Sequence, residues 1–190
     1  MADLFQKLEL EAFRKGITPR SKESREWFRK KASQLNPNRA ELMRAESVQL
    51  RNRPAVGSMY MYFYDPKTKE KLPYYDRFPL VLPLEEYNDG FLGINFHYLP
   101  IPLRMRLLDR VVDFSNNTKF DESTRLNVSY TALKSVRLIK PTIKRYLAGK
   151  VKSRFRRVDA DEFTIATLLP VARLSKASAA EVYKDSRKMI

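Results

Sequence analysis

The 190-residue chain contains no cysteine, one histidine, one tryptophan and only five glycines. Without cysteine there is no disulfide framework and no thiolate chemistry. With His97 as the only histidine, a structural zinc site is close to excluded. A histidine-dependent triad would have to use His97. That residue sits in the apolar stretch "NFHYL" and reads as a hydrogen-bonded packing residue on a strand. Glycines at 16, 57, 90, 93 and 149 are too scattered for a phosphate loop or a dinucleotide fingerprint. No apolar run approaches the ~18 residues that span a membrane. The stretch "MADLFQKLELEAFRKG" mixes acids among its apolar residues and does not read as a secretory signal.

Carboxylates are present, but not in a diagnostic spacing. Asp65, Glu70 and Lys71 read as a hairpin turn. Asp159, Asp161 and Glu162 read as a helix start, where acids favour the dipole. Neither set makes a metal nuclease the first expectation. No enzyme, cofactor, metal or small-molecule ligand is expected.

The strongest global feature is charge. The chain carries 37 basic and 22 acidic residues, a net +15. Residues 1–56 contribute +6, residues 57–100 contribute −2, residues 101–158 contribute +11, and the remainder contributes nothing. Such a balance suits a polyanion or an acidic protein surface. The candidate basic surface is Lys134, Arg137, Lys140, Lys144, Lys150, Lys152, Arg154, Arg156 and Arg157. Arg154 and Arg156 share a face if their segment is extended. These side chains can neutralise phosphates without reading bases. Solvation of an ordinary basic face is the competing explanation.

Hydrophobic periodicity predicts an α+β fold: a small twisted antiparallel sheet or barrel-like core packed with helices, plus an N-terminal helical arm. The arm is placed at residues 1–56 and the core at 57–190. In the arm, Leu4, Phe5, Leu8 and Phe13 form a stripe at helical spacing. A second helix opens at Pro19 or Ser21 and carries Trp27, Phe28 and Leu35 among charges. So polar an arm is expected to lie on something else, and Trp27 and Phe28 are candidate partner contacts.

In "MYMYFYDP" the methionines and Phe63 alternate with Tyr60, Tyr62 and Tyr64. Both faces are apolar or aromatic. The tyrosine row could stack on bases, but a core or subunit contact is favoured. "LPYYDRFPLVLPL" reads as a rigid loop with Tyr74 and Tyr75 as contact residues. A strand follows, with Leu80, Leu82 and Leu84 on one face. Pro79 and Pro83 place that strand at a sheet edge or at an interruption. "EEYNDG" supplies a turn, and "FLGINFHYL" returns antiparallel. Helices are predicted from Pro102, from Asp121 and from Pro141, the last with Ile143, Leu147 and Val151 inward. "KSRFRRV" alternates like a strand. Residues 159–170 fit helix or strand, and Ser178 with Glu181 forms a capping box.

The stretches "MYMYFYDPKTKEKLPYYDRFPLVLPL", "GFLGINFHYLPI", "KPTIKRYLAGKVKSRF" and "VYKDSRKMI" resemble a family of virion proteins in large contractile-tailed bacteriophages. These include relatives of the T4 group that infect cyanobacteria. The resemblance runs from about Trp27 to the C-terminus. It implies a particle component, placed in the tail or baseplate and assembled in the host cytoplasm, with other phage structural proteins as partners. It carries over no catalytic residues. The alternative is a basic DNA-binding accessory protein acting in packaging, DNA end protection or recombination.

Overall fold

The structure, a computed structural model, describes residues 4–19, 21–44, 49–113, 126 and 128–190. Three helices come first: α1 (Leu4–Arg14), α2 (Lys22–Ser33) and α3 (Arg39–Leu42). Ser21 caps α2 by accepting from the Ser24 amide at 3.0 Å, one of the two starts predicted. Phe5 and Leu8 are buried as their spacing predicts, whereas Phe13 is 79% exposed.

The strands follow as β1 (Leu50–Arg51), β2 (Met59–Met61), β3 (Tyr75–Asp76), β4 (Leu80–Tyr87) and β5 (Gly90–Asn95). A 3-10 turn at Phe96–Tyr98 leads into α4 (Ile101–Asp113). Then come α5 (Tyr130–Leu133), β6 (Ile143–Leu147), β7 (Phe155–Val158), α6 (Phe163–Leu168), β8 (Leu174–Ser175) and α7 (Ala179–Met189). Asp121, the proposed cap, lies outside the described residues; Ser129 caps α5 instead.

Six strands form one antiparallel sheet in the order β1-β7-β2-β4-β5-β6, and β3 pairs with β8. Three consecutive strands make a meander, from β4 through β5 to β6. A 3-10 turn at Ala148–Lys150 then brings the chain back along β2. Val151 bridges Tyr64, and the Lys152 amide donates to the Phe63 carbonyl at 2.8 Å. The end of β6 is thereby carried round to the far side of β2, and the sheet curls towards a barrel.

The curl gives the sheet two apolar faces. Inside lie Tyr60, Tyr62, Tyr64, Val81, Phe91, Tyr146 and Phe155. Tyr62 is the hub, its ring centroid 4.8 Å from Phe155 and 5.7 Å from Tyr146. Space inside is short: a Cβ on Gly93 would lie 2.5 Å from Val81 Cγ1. The other face presents Met59, Met61, Leu80, Leu82 and Ile94 to the helical layer, forming one core with Leu107, Ile165 and Leu168. Phe5, Leu8, Ala32 and Leu42 of the N-terminal helices belong to that same core. Arg25 of α2 pairs with Asp109 of α4 through two hydrogen bonds of 3.0 and 2.6 Å.

Several sequence expectations are corrected. Of the two positions expected for β4, a sheet edge or an interruption, the second is found: it lies between β2 and β5, and its register breaks after Pro83. Pro79 precedes the strand, and Pro83 is tolerated because β2 pairs only with Leu80 and Val81, so Pro83 falls beyond that ladder. On the β5 side the register shifts between Pro83 and Glu85. Residues 143–147 are strand, not helix, because β5 offers them a ladder from Gly90 to Ile94. His97 belongs to a 3-10 turn, not a strand. Leu50 and Arg51 leave the predicted helix to pair with β7.

Candidate nucleic-acid interface

The predicted basic residues separate into distinct environments. Lys134, Arg137 and Lys140 are exposed on α5 and the turn after it. Arg156 is not on the surface. It is fully buried, its guanidinium carbon 4.5 Å from the Phe5 ring centroid, and it donates to the Leu42 carbonyl at 2.7 Å. The reason is strand alternation: Arg156 faces the helical layer, and α1 and α3 cover it. Arg157 is held by Asp159 at 2.9 and 2.6 Å. Lys144 is half-buried, its ammonium over the Tyr98 ring.

Lys150, Lys152 and Arg154 occupy the return segment beside β2, and the tertiary structure adds cations to them from elsewhere in the chain. Asp65 lies among Lys69, Lys152 and Arg77, whose charges, led by the Lys69 hydrogen bond, hold its carboxyl below the usual range. Lys69 Nζ donates to both Asp65 oxygens at 3.0 and 3.3 Å. One carboxylate thus faces three cations.

A cleft of about 620 Å³ opens nearby, lined by Asn36, Asn38, Arg39, Phe63 and Arg173 among others, and none of its lining residues is acidic. Arg39 is fixed by donating to the carbonyls of Val171 and Ala172 at 2.8 and 3.0 Å. Burial first, and then the charge of Arg173, pull the Arg39 pKa down. Two guanidiniums that repel across a cleft suit a bound phosphate. Sequence reasoning missed Arg39, Arg77 and Arg173 because they are scattered singly; only the fold gathers them.

The loop between β2 and β3 links these groups and is pinned from outside. Lys176 Nζ donates to the carbonyls of Lys69, Glu70 and Leu72 at 3.0, 2.9 and 2.8 Å. All three ammonium protons are used. Lys176 has φ +71, the only positive φ outside glycine among the described residues.

Beneath the loop lies a buried polar centre. Asp76 accepts from the amides of Phe78 and Arg173 at 3.0 and 3.1 Å, from Asn95 Nδ2 at 3.2 Å, and lies 2.8 Å from His97 Nδ1. Burial pushes the Asp76 pKa up, but the charge of His97 and these hydrogen bonds outweigh it and leave the pKa lowered. Burial likewise lowers that of His97, against Asp76. His97 is therefore a packing residue that orients this network.

The predicted aromatic contacts divide. Tyr60, Tyr62 and Tyr64 are at most 7% exposed and form the inner core rather than an outer stacking row. Tyr74 packs against Tyr98, with ring centroids 5.9 Å apart, and Tyr75 lines a second cleft. Trp27 packs edge-on against Phe28 beneath Lys15 and Lys31. Asp159 and Glu162 cap the turn before α6. Among the described residues no cluster of three or more His, Asp or Glu could hold a metal, and no helix is long and apolar enough to cross a membrane.

Fold and surface together define a basic α+β protein with a curled sheet, whose cations gather on either side of one pinned loop. Residues 2–186 match the family described as phage T4 terminal DNA protecting protein, and the chain belongs to that family. The expected T4-group phage origin stands; the match lends no support to a tail or baseplate position. No curated protein and no solved structure matches the chain.

Proposed function

We propose that this protein binds the ends of linear DNA and shields them from exonucleases, by binding and without turnover. The observation that carries the reading is the family match, which spans nearly the whole chain. It favours the DNA-binding alternative, with end protection as its role, over the tail or baseplate assignment. The geometry supports it through Arg39 and Arg173, which line one cleft without an acid, and through Arg77 and Lys152, whose charges meet at Asp65. These groups would neutralise backbone phosphates and hold the duplex without reading its sequence.

The test is direct. Linear duplex is digested with a processive exonuclease in the presence and absence of the purified protein. Strong slowing of digestion is expected, with no slowing when the nuclease acts on an internal nick. Equal digestion rates at saturating protein would overturn the reading.

A further inference from the structure

The second cleft lies on the other side of the pinned loop, between that loop and β6. It measures about 420 Å³ and is lined by Tyr64, Pro66, Tyr75, Tyr98, Lys144 and Tyr146 among others. That volume falls within the roughly 300–1,000 Å³ typical of small-ligand sites. Its chemistry is unusual for a surface fold. Lys144 sits half-buried, its Nζ 4.2 Å from the Tyr98 ring centroid. Burial alone pulls its pKa down to about 8. Asp76 also belongs to the lining, but its oxygens are taken by Phe78, Arg173, Asn95 and His97. The Lys144 ammonium makes no ion pair or hydrogen bond among the described residues. A desolvated ammonium without a counter-ion is costly, and an entering anion would remove that cost.

We propose that this cleft receives the terminal nucleotide of a DNA strand, its terminal phosphate on Lys144 and its base on Tyr75, the half-exposed tyrosine of the lining. The inference rests on the end-binding function proposed above and assigns the end to one site. Shape is the argument for an end. Backbone phosphates inside a duplex lie on its convex surface, tied on both sides, and cannot turn in towards an ammonium that is itself half-buried. A frayed terminal nucleotide can. A tyrosine face stacks on any base, so the site is indifferent to sequence. Lys67, exposed at the rim, adds charge for the next phosphate. The arginine cleft on the loop's other side would hold the duplex body, so the two clefts divide the work between body and end.

The experiment compares a 5′-phosphorylated open duplex with a covalently closed dumbbell of the same sequence by fluorescence anisotropy. Wild-type protein, Lys144→Met and Tyr75→Ala are measured on both. A charge-assisted hydrogen bond corresponds to about a tenfold affinity difference or more. Wild-type protein is expected to prefer the open duplex by at least that factor. Lys144→Met is expected to lose the preference, keep its affinity for the closed duplex and melt no lower than wild type. Methionine keeps the volume and removes the buried charge, so misfolding is not expected. Tyr75→Ala is expected to weaken the preference in part. Removing the terminal phosphates should weaken wild-type binding and leave Lys144→Met unchanged. If wild type prefers ends and Lys144→Met still does, the cleft proposal falls while end binding stands. If wild type shows no preference, end binding falls and takes the cleft proposal with it.

Discussion

Phe63 and Tyr64 are neighbours in the chain, yet Phe63 lines the arginine cleft and Tyr64 lines the tyrosine cleft. The alternation of β2 continues into this segment and turns consecutive side chains to opposite sides, so the two sites open on opposite sides of it. Changes on one side should therefore be separable from changes on the other.

Replacing Lys152, Arg154 and Arg173 together by alanine should weaken DNA binding for open and closed duplexes alike. Each neutralised phosphate contributes about 0.9 to the slope of log affinity against log salt. If all three contact phosphates, the slope should fall by roughly 2–3. Anisotropy titrations across a salt series measure this. An unchanged slope would remove these residues from the interface. The three side chains are not buried, so melting temperature should move little.

Lys176 holds three loop carbonyls with one ammonium. Lys176→Ala should release the segment containing Lys67, Lys69 and Lys71. Limited trypsin digestion should then cut there several times faster than in wild type. Unaltered cleavage would mean that the β3–β8 pairing alone fixes the loop. Both clefts border this loop, so DNA affinity should also drop.

Phe5 is fully buried against the Arg156 guanidinium. Phe5→Ala should cost about 3–5 kcal/mol, as large-to-small core changes do. Deleting residues 1–44 goes further: it uncovers Arg156 and removes Leu8, Ala32 and Leu42 from the core. That truncation should unfold without a cooperative transition in urea. A sharp, wild-type-like transition would show that residues 1–56 form an arm separate from the core.

Lys144 gives a pH signature. Its folded pKa lies near 8, below the ordinary 10.5. Below pH 8 the ammonium is charged in both states, and its burial destabilises the fold fully. Between 8 and 10.5 the unfolded chain binds more protons, so stability rises with pH. Lys144→Met lacks this effect and should be more stable than wild type at pH 7, by on the order of 1–3 kcal/mol. The gap should narrow by pH 9.5. Tyr64, Tyr98 and Tyr146 border the same cleft, and burial raises each above the ordinary 10. They act alike in both proteins and only above that pH. Urea midpoints at four pH values measure the gap; a constant gap would contradict the buried ammonium.

The sequence by itself determined what depends on near neighbours. The α+β class follows from periods of 3.6 and 2 in successive segments. The caps at Ser21 and at Ser178 with Glu181 are local hydrogen bonds, and both form. Leu80, Leu82 and Leu84 face the core because a strand alternates. Net charge is a sum and needs no fold. Tertiary structure decided the rest. Ile143 and Leu147 are four apart and fit a helix or a strand; pairing with β5 settled the matter. Pro83 could sit in a central strand only because β2 is short. Arg154 and Arg156 look equivalent in the chain, but one meets solvent and the other meets Phe5. Arg39 and Arg173 share a cleft though most of the chain separates them. Which cation is covered, and which remains free for a phosphate, depends on contacts between distant segments, and no local pattern encodes those.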